Sequence, residues 1–342
     1  MRGVTVDAPN KTSTAQGGCL WEDVDVALAK HGLATVGGTV NNTGIGGLTL
    51  GGGYGFLSGE YGLVVDNVLA VELVLADGSI VTASENENED LFWAARGAGV
   101  GFGVATSFTY RAYEQKNNVW GGMLIFPKTQ LDKCVEFANW TMEVQSGKHT
   151  LFLGFGAPPP AFQPVLMAVA YYNGTESEAK EFYKPLLDLG PLADMTSVMP
   201  YEKVNTMLND GLPAGFRRTM KGSAFMAPLS TTFAQSLFDD YEKLLKDLPD
   251  AALSVILLEY VSYHKILEVP QEAMAFANRG AYGNLLFGPG WTNPENDKAC
   301  REWTRVMAAK SGAELKRIRD LGTDVVTKSG VGEYVNYDSE YF

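Results

Sequence analysis

Two glycine-rich runs and fifteen tyrosines are where this sequence concentrates its chemical possibilities. Residues 44–55, Gly-Ile-Gly-Gly-Leu-Thr-Leu-Gly-Gly-Gly-Tyr-Gly, hold seven glycines in twelve, and a second run follows at Gly97-Ala-Gly-Val-Gly-Phe-Gly103. Glycine has no Cβ, so it admits positive φ and lets a ligand approach the backbone. Successive N–H groups in such a loop form a concavity suited to pyrophosphate. Ile45, Leu48 and Leu50 interrupt the first run with groups that seek burial, which argues against a flexible linker. Neither G-x-G-x-x-G nor G-x-x-x-x-G-K-[ST] occurs. Two such loops suggest a long ligand held at two places.

Other chemistries find no support. His31, His149 and His264 are far apart and sit in no H-E-x-x-H or Cys-x-x-Cys context, so no metal site is expected. Ser58 and Ser223 lack the G-x-S-x-G elbow of a serine hydrolase. The carboxylates from Glu85 to Asp90 fit a solvated helix start better than an acid/base pair. What remains is tyrosine and a bound cofactor. A phenol with its ordinary pKa of about 10 is a poor base at neutral pH unless a hydrogen bond or a positive neighbour stabilises the phenolate.

The elements that would position these residues fall into two stretches. In 1–116, the spacing predicts a helix from Trp21 to His31, a hairpin over Leu63–Thr82 turning at Asp77-Gly78, a helix over Glu85–Arg96 and a strand over Phe102–Tyr113. From about Val119, strands (Val119–Phe126, Thr150–Ala157, Gln163–Tyr172, Leu253–Tyr260, Ala281–Phe287) alternate with helices near 128–144, 176–187, 231–247 and 296–311. Antiparallel strands backed by helices make the fold class α+β. Aromatic residues such as Trp120, Phe155 and Tyr260 stand at strand positions and are expected mainly in the core.

Bulk properties narrow the partners. The chain has 342 residues and a formal net charge of −13, which argues against nucleic acid or an anionic membrane as partner. Three cysteines do not make a disulfide framework. No apolar window reaches the ~18 residues of a membrane span, and the first thirty residues show no export-signal pattern. Asn10, Asn41, Asn139 and Asn173 open N-x-Thr acceptor sequons, short enough to arise by chance.

The string Gly46-Gly-Leu-Thr-Leu-Gly-Gly-Gly-Tyr-Gly-Phe-Leu-Ser58, with Tyr61-Gly-Leu-Val-Val-Asp-Asn67, resembles the FAD-linked oxidases related to berberine bridge enzyme. Ala76–Ser84, Asp90-Leu-Phe-Trp-Ala-Ala-Arg-Gly97, Gly101-Phe-Gly-Val-Ala-Thr106 and the closing Tyr334-Val-Asn-Tyr337 carry the same resemblance. It implies a PCMH-type FAD-binding domain over 1–116, lacking its N-terminal part. A substrate domain, an antiparallel sheet backed by helices, would span 117–325, and 326–342 would begin a segment returning to the FAD domain. The backbone around Gly38, Thr39, Thr43, Gly44, Gly46, Gly47, Gly52, Gly53 and Gly55 would line the FAD, with Gly103 and Val104 near the adenine and Asn336 beside the flavin ring. Tyr334 and Tyr54 match positions where family members carry catalytic tyrosines, Tyr334 as base and Tyr54 as its partner or a substrate-positioning group.

The resemblance further implies oxidation of an alcohol or amine carbon of a small molecule or oligosaccharide, with O2 as electron acceptor. Thr43, close to valine in size, stands where relatives border the path of oxygen. Secretion and glycosylation would follow from the family, with a cytoplasmic location otherwise. Val40 occupies the position of a flavin-linking cysteine, Gly101 stands where relatives often carry Asn, and the family's flavin-linking histidine stretch would precede Met1. The expected chain is therefore a member shortened at both ends. The alternative is a non-catalytic remnant that binds FAD weakly or not at all.

Overall fold

The computed structural model describes residues 1–209, 215–322, 332 and 334–338, and the chain divides into two compact units. The first comprises Met1–Val119, Val198–Asn209 and His264–Arg279. Its five-stranded antiparallel sheet runs in the order Val4–Asp7, Thr12–Gln16, Val104–Arg111, Val68–Val74, Ile80–Ser84. Alternating residues put Val71, Leu73, Ala83, Phe108 and Tyr110 in the core. The helix Trp21–Ala29 packs there, with the Trp21 and Tyr110 ring centroids 5.7 Å apart.

The expected hairpin forms, but its strands are Val68–Val74 and Ile80–Ser84, joined by a five-residue loop closed by Leu75 N donating to Ser79 O at 2.9 Å. Residues Val64–Asn67 form a 3-10 turn instead of strand. The cause is Asp66, whose carboxylate accepts from the Leu63 N–H at 2.8 Å and pairs with Arg279. The side chains of Asp66 and Arg279 are only 6% and 2% exposed. Arg279 Nη1 also donates to Ile266 O at 3.0 Å within the 264–279 segment, and it is the pair with Asp66 that holds this segment to the unit. At the other inserted segment, the 3-10 turn Tyr201–Thr206 lies on the Trp21–Ala29 helix, and Asn205 Nδ2 donates to Asp25 Oδ2 at 2.7 Å.

The second unit comprises Trp120–Ser197, Asp210–Tyr263 and Gly280–Phe342. Its antiparallel sheet follows the path Ala193–Asp194, Val119–Phe126, Val165–Tyr172, His149–Gly156, Val255–Val261, Gly283–Gly288, Lys221–Phe225. Helices Leu131–Val144, Thr231–Asp247 and Asp297–Leu321 share one apolar core with these strands, through residues such as Phe137, Phe238, Met307, Phe155 and Leu285. The last helix continues ten residues beyond its expected end at 311. Ser311-Gly312 resembles a stop, but Ser311 is buried and Leu315 carries the apolar face onward.

Segments 198–209 and 264–279 group with the first unit although the sequence pattern runs them into a single stretch over 117–325. The described part of 326–342 groups with the second unit. Both assignments follow from long-range pairs, Asp66–Arg279 and Asp25–Asn205, that no local pattern announces. No helix among the described residues is long and apolar enough to cross a membrane. The sequon side chains of Asn41 and Asn139 are engaged in hydrogen bonds, to Asn209 and to the Leu229 backbone.

Removing one member of a buried ion pair leaves the other charge uncompensated, at a cost of about 3–5 kcal/mol. Arg279→Leu is expected to lower the urea-unfolding free energy by that order. Leu at both Asp66 and Arg279 should restore only part of the loss, because the Leu63 cap is lost as well.

Candidate active site

The glycines of the first unit sort into two groups once each is asked what a Cβ would meet. At Gly55 a Cβ would lie 1.8 Å from Gly37 O; at Gly38, 2.6 Å from Leu48; at Gly53, 2.5 Å from Val64; at Gly103, 2.8 Å from Val74 O. Gly52 (φ +117) and Gly97 (φ +126) both lie under Phe276, with a Cβ at 2.2 and 2.3 Å from it. These positions are glycine because the chain packs backbone against its own atoms there. At Gly44, Gly47 and Gly101, nothing lies within 4 Å of a Cβ, and all three residues are exposed. Gly46 is close to this second group, with only Gly17 O at 3.3 Å and the Phe108 ring at 4.0 Å.

Internal packing therefore does not account for glycine at Gly44 and Gly47, whose backbone is open to approach. Nearby, the indole N–H of Trp21 is buried beside Gly38 and has no acceptor among the described residues. A bare backbone surface next to an orphaned donor fits an oxygen-rich dinucleotide. Thr43 belongs to the same stretch: its N–H donates to Val40 O and its carbonyl accepts from Trp21 N, both at 3.1 Å. Thr39 is half-buried, and Val104 is 66% exposed.

Tyr54 is buried in the first unit, its hydroxyl donating to Asn278 O at 3.3 Å and its ring edge-on to Phe276 at 6.4 Å. The 264–279 segment thus holds this tyrosine. Further bonds fix it to the 93–97 region: Trp93 Nε1 to Glu272 O at 2.8 Å, and Phe276 N to Arg96 O at 2.9 Å.

In the second unit, Tyr334, Asn336 and Tyr337 form a cluster. Tyr334 is buried, Asn336 Nδ2 donates to its hydroxyl oxygen at 2.8 Å, and the Tyr337 ring stands edge-on at 4.8 Å. The Tyr337 hydroxyl is hydrogen-bonded to Glu259 Oε1. Glu259, from the strand Val255–Val261, is buried and also accepts from Asn284 Nδ2 at 3.1 Å. Asn284 is its direct cross-strand neighbour, so sheet register fixes this pair. Burial pushes the Glu259 carboxyl up to about 7, against the opposing hydrogen bonds from Tyr337 and Asn284. An inward-facing acid that exchanges a proton near neutrality beside two phenols is equipped for acid/base work.

Sequence reasoning missed Glu259. A lone glutamate in an apolar strand, Val-Ile-Leu-Leu-Glu-Tyr-Val261, was its only local signal. It also missed Arg279 and Asn278, whose roles depend on contacts made more than 200 residues away. No group of histidines, cysteines and carboxylates among the described residues could hold a metal ion, and Cys19, Cys134 and Cys300 are buried free thiols.

A family model for an FAD binding domain matches residues 1–84. An FAD-linked oxidoreductase of Aspergillus terreus, pgmH, is 37% identical over 327 residues, covering 90% of this chain and 64% of the relative. The chain is related to the FAD-linked oxidoreductases. It spans a little under two thirds of that relative's length. Two solved structures share its fold. One is 6-hydroxy-D-nicotine oxidase from Arthrobacter nicotinovorans (TM-score 0.78, 23% identity, 100% of this chain and 72% of that one). The other is a berberine bridge enzyme variant described as a reticuline dehydrogenase (TM-score 0.77, 19% identity, 98% and 67%). The fold is that of the PCMH-type flavoproteins, α+β with antiparallel sheets, and the cofactor these matches indicate is FAD.

The two glycine groups predict opposite outcomes. Gly44→Val and Gly47→Ala should leave stability of the cofactor-free protein within about 1 kcal/mol, Gly47→Ala even raising it because Gly47 lies inside the short helix Ile45–Leu50. Both should weaken FAD binding in a flavin-fluorescence titration. Gly55→Ala should destabilise the chain itself, seen as a lower melting temperature without FAD.

Proposed function

We propose that this protein is an FAD-dependent oxidoreductase that removes a hydride from an alcohol or amine carbon of a small molecule or oligosaccharide. When bound, FAD supplies the hydride acceptor at its flavin N5. The backbone at 38–47 would hold it, with Gly44, Gly46 and Gly47 giving close approach. The reading is carried by the cluster Glu259–Tyr337–Tyr334–Asn336, in which a buried carboxyl and a buried phenol are linked through the half-buried Tyr337 and Asn336.

Tyr334 serves as the base that takes the substrate's hydroxyl or amine proton. The Asn336 amide donates to its oxygen and so favours the phenolate over the phenol. When ionised, Glu259 accepts a hydrogen bond from the Tyr337 hydroxyl, which fixes the Tyr337 ring edge-on to Tyr334. Tyr54 is a substrate-positioning group of the first unit, its orientation set by Asn278. Thr43, with its small side chain, leaves room for O2 as the electron acceptor.

The neighbour named as a nicotine oxidase supports an amine as substrate class, and the family name of the Aspergillus relative supports oxidoreduction.

Tyr334→Phe is expected to slow substrate reduction of the flavin by about 10²–10⁴-fold in stopped-flow, the usual range for a lost general base, while FAD still binds. In the unaltered protein the rate should rise with pH through about 7, as Glu259 ionises. Glu259→Gln should flatten that step. Thr43→Leu should slow reoxidation by O2 and leave the reductive half-reaction unchanged; equal reoxidation rates would contradict the oxygen-path assignment.

A further inference from the structure

The sheet face that carries Glu259 in the second unit also carries an apolar surface that the tyrosine cluster does not use. Met167, Leu257 and Leu286 are half-buried on their strands, whereas their neighbours Leu166, Ile256 and Leu285 belong to the core shared with the helices. Side chains alternate across a strand, so the half-buried set stands on the face opposite the helices. Glu259 and Asn284 lie two residues away from Leu257 and Leu286 and share that face.

Cross-strand register joins these residues into one row. Met167 is directly opposite Gly154, Gly154 opposite Leu257, Leu257 opposite Leu286, and Leu286 opposite Gly222. At Gly154 a Cβ would lie 3.1 Å from Leu257 Cδ1 and 3.7 Å from Met167 Cε, so those two side chains close over the glycine and keep the row level. At Gly222 a Cβ would lie 2.8 Å from Tyr337 Cβ, so the row ends beneath the tyrosine that bonds Glu259. Val165 and Val255 flank the row and are half-buried as well. The row has no charged or hydrogen-bonding side chain, and Glu259 beside it is already engaged by Tyr337 and Asn284. A level strip of methyl, methylene and thioether groups recognises apolar area, not hydroxyls. A sugar laid on it would leave hydroxyls without partners, each at a cost in affinity. A planar aromatic ring leaves none, covers the strip fully and finds a favourable neighbour in the Met167 sulfur.

We propose that the row Met167–Leu257–Leu286 seats an aromatic ring of the substrate, whose class is therefore an aryl alcohol or aryl amine and not an oligosaccharide. The inference rests on the oxidoreductase reading above and narrows it. Because the row ends at Tyr337, a carbon attached to the seated ring is brought toward the tyrosine cluster.

Calorimetric titration of the full chain with FAD added tests the proposal, using 2-naphthalenemethanol and cellobiose as probes. Saturable binding of the naphthyl alcohol is expected, and none of cellobiose. Leu257→Gln and Leu286→Gln each put an amide into the strip and should weaken binding about tenfold, as expected for losing one apolar contact. Leu257→Met keeps the strip apolar and should keep the affinity. Ile80→Gln, at an exposed apolar residue of the first unit, should change nothing, which separates the row from non-specific adsorption. No saturable binding, cellobiose binding as tight as that of the naphthyl alcohol, or full affinity in both glutamine variants would overturn the proposal. Flavin reduction followed anaerobically in the same samples keeps the two readings apart. Binding that needs the row but reduces no flavin would support the row and contradict the oxidoreductase reading. Reduction by the naphthyl alcohol that both glutamine variants leave intact would overturn the row alone.

Discussion

The first unit depends on backbone meeting backbone without side chains between. Gly55 lies so close to Gly37 O that a methyl group has no room, and Gly52 and Gly97 both accept Phe276 against their bare Cα atoms. Such contacts are unforgiving: at Gly55 and Gly97 the obstructing atoms are backbone and cannot rotate away, and at Gly52 the obstacle is the buried Phe276 ring. They also bring distant parts of the chain into one body. Residue 276 belongs by position to a stretch that is otherwise part of the second unit, and it is retained in the first by this fit and by the Arg279–Asp66 pair. Tyr54 inherits its orientation from the same segment.

A second constraint recurs in both units. Asp25 and Glu259 are carboxyls placed in surroundings that disfavour their charge, each pushed up to about 7 mainly by burial. Carboxyls raised in this way contribute stability when protonated, and that contribution is lost as pH rises from their unfolded values through about 7. Their partners differ, however. Glu259 is satisfied by Tyr337 and Asn284, which suits a proton held and passed on, whereas Asp25 keeps one oxygen without a donor.

The glycine excess has two physical origins that sequence alone cannot separate. In the run 44–55, Gly52, Gly53 and Gly55 serve internal packing, while Gly44 and Gly47 face open space. A count of glycines treats them alike. Only the placement of Phe276, Val64 and Gly37 distinguishes a glycine that the fold requires from one that faces open space.

Much of the protein was legible in the residues themselves. Strand and helix periodicity placed most elements within a few residues, because each depends on local alternation of burial. The motifs around 46–67, 90–106 and 334–337 pointed to an FAD-linked oxidase, and the family match over 1–84 agrees with the first of these. What the tertiary structure alone decided were the partnerships between residues far apart in the chain. Glu259 finds Tyr337, Asp66 finds Arg279, and Asp25 finds Asn205, across separations of 78, 213 and 180 residues. No periodic pattern encodes such pairs: they come from how sheets register and inserted segments dock, and they set the charge and proton affinity of each site.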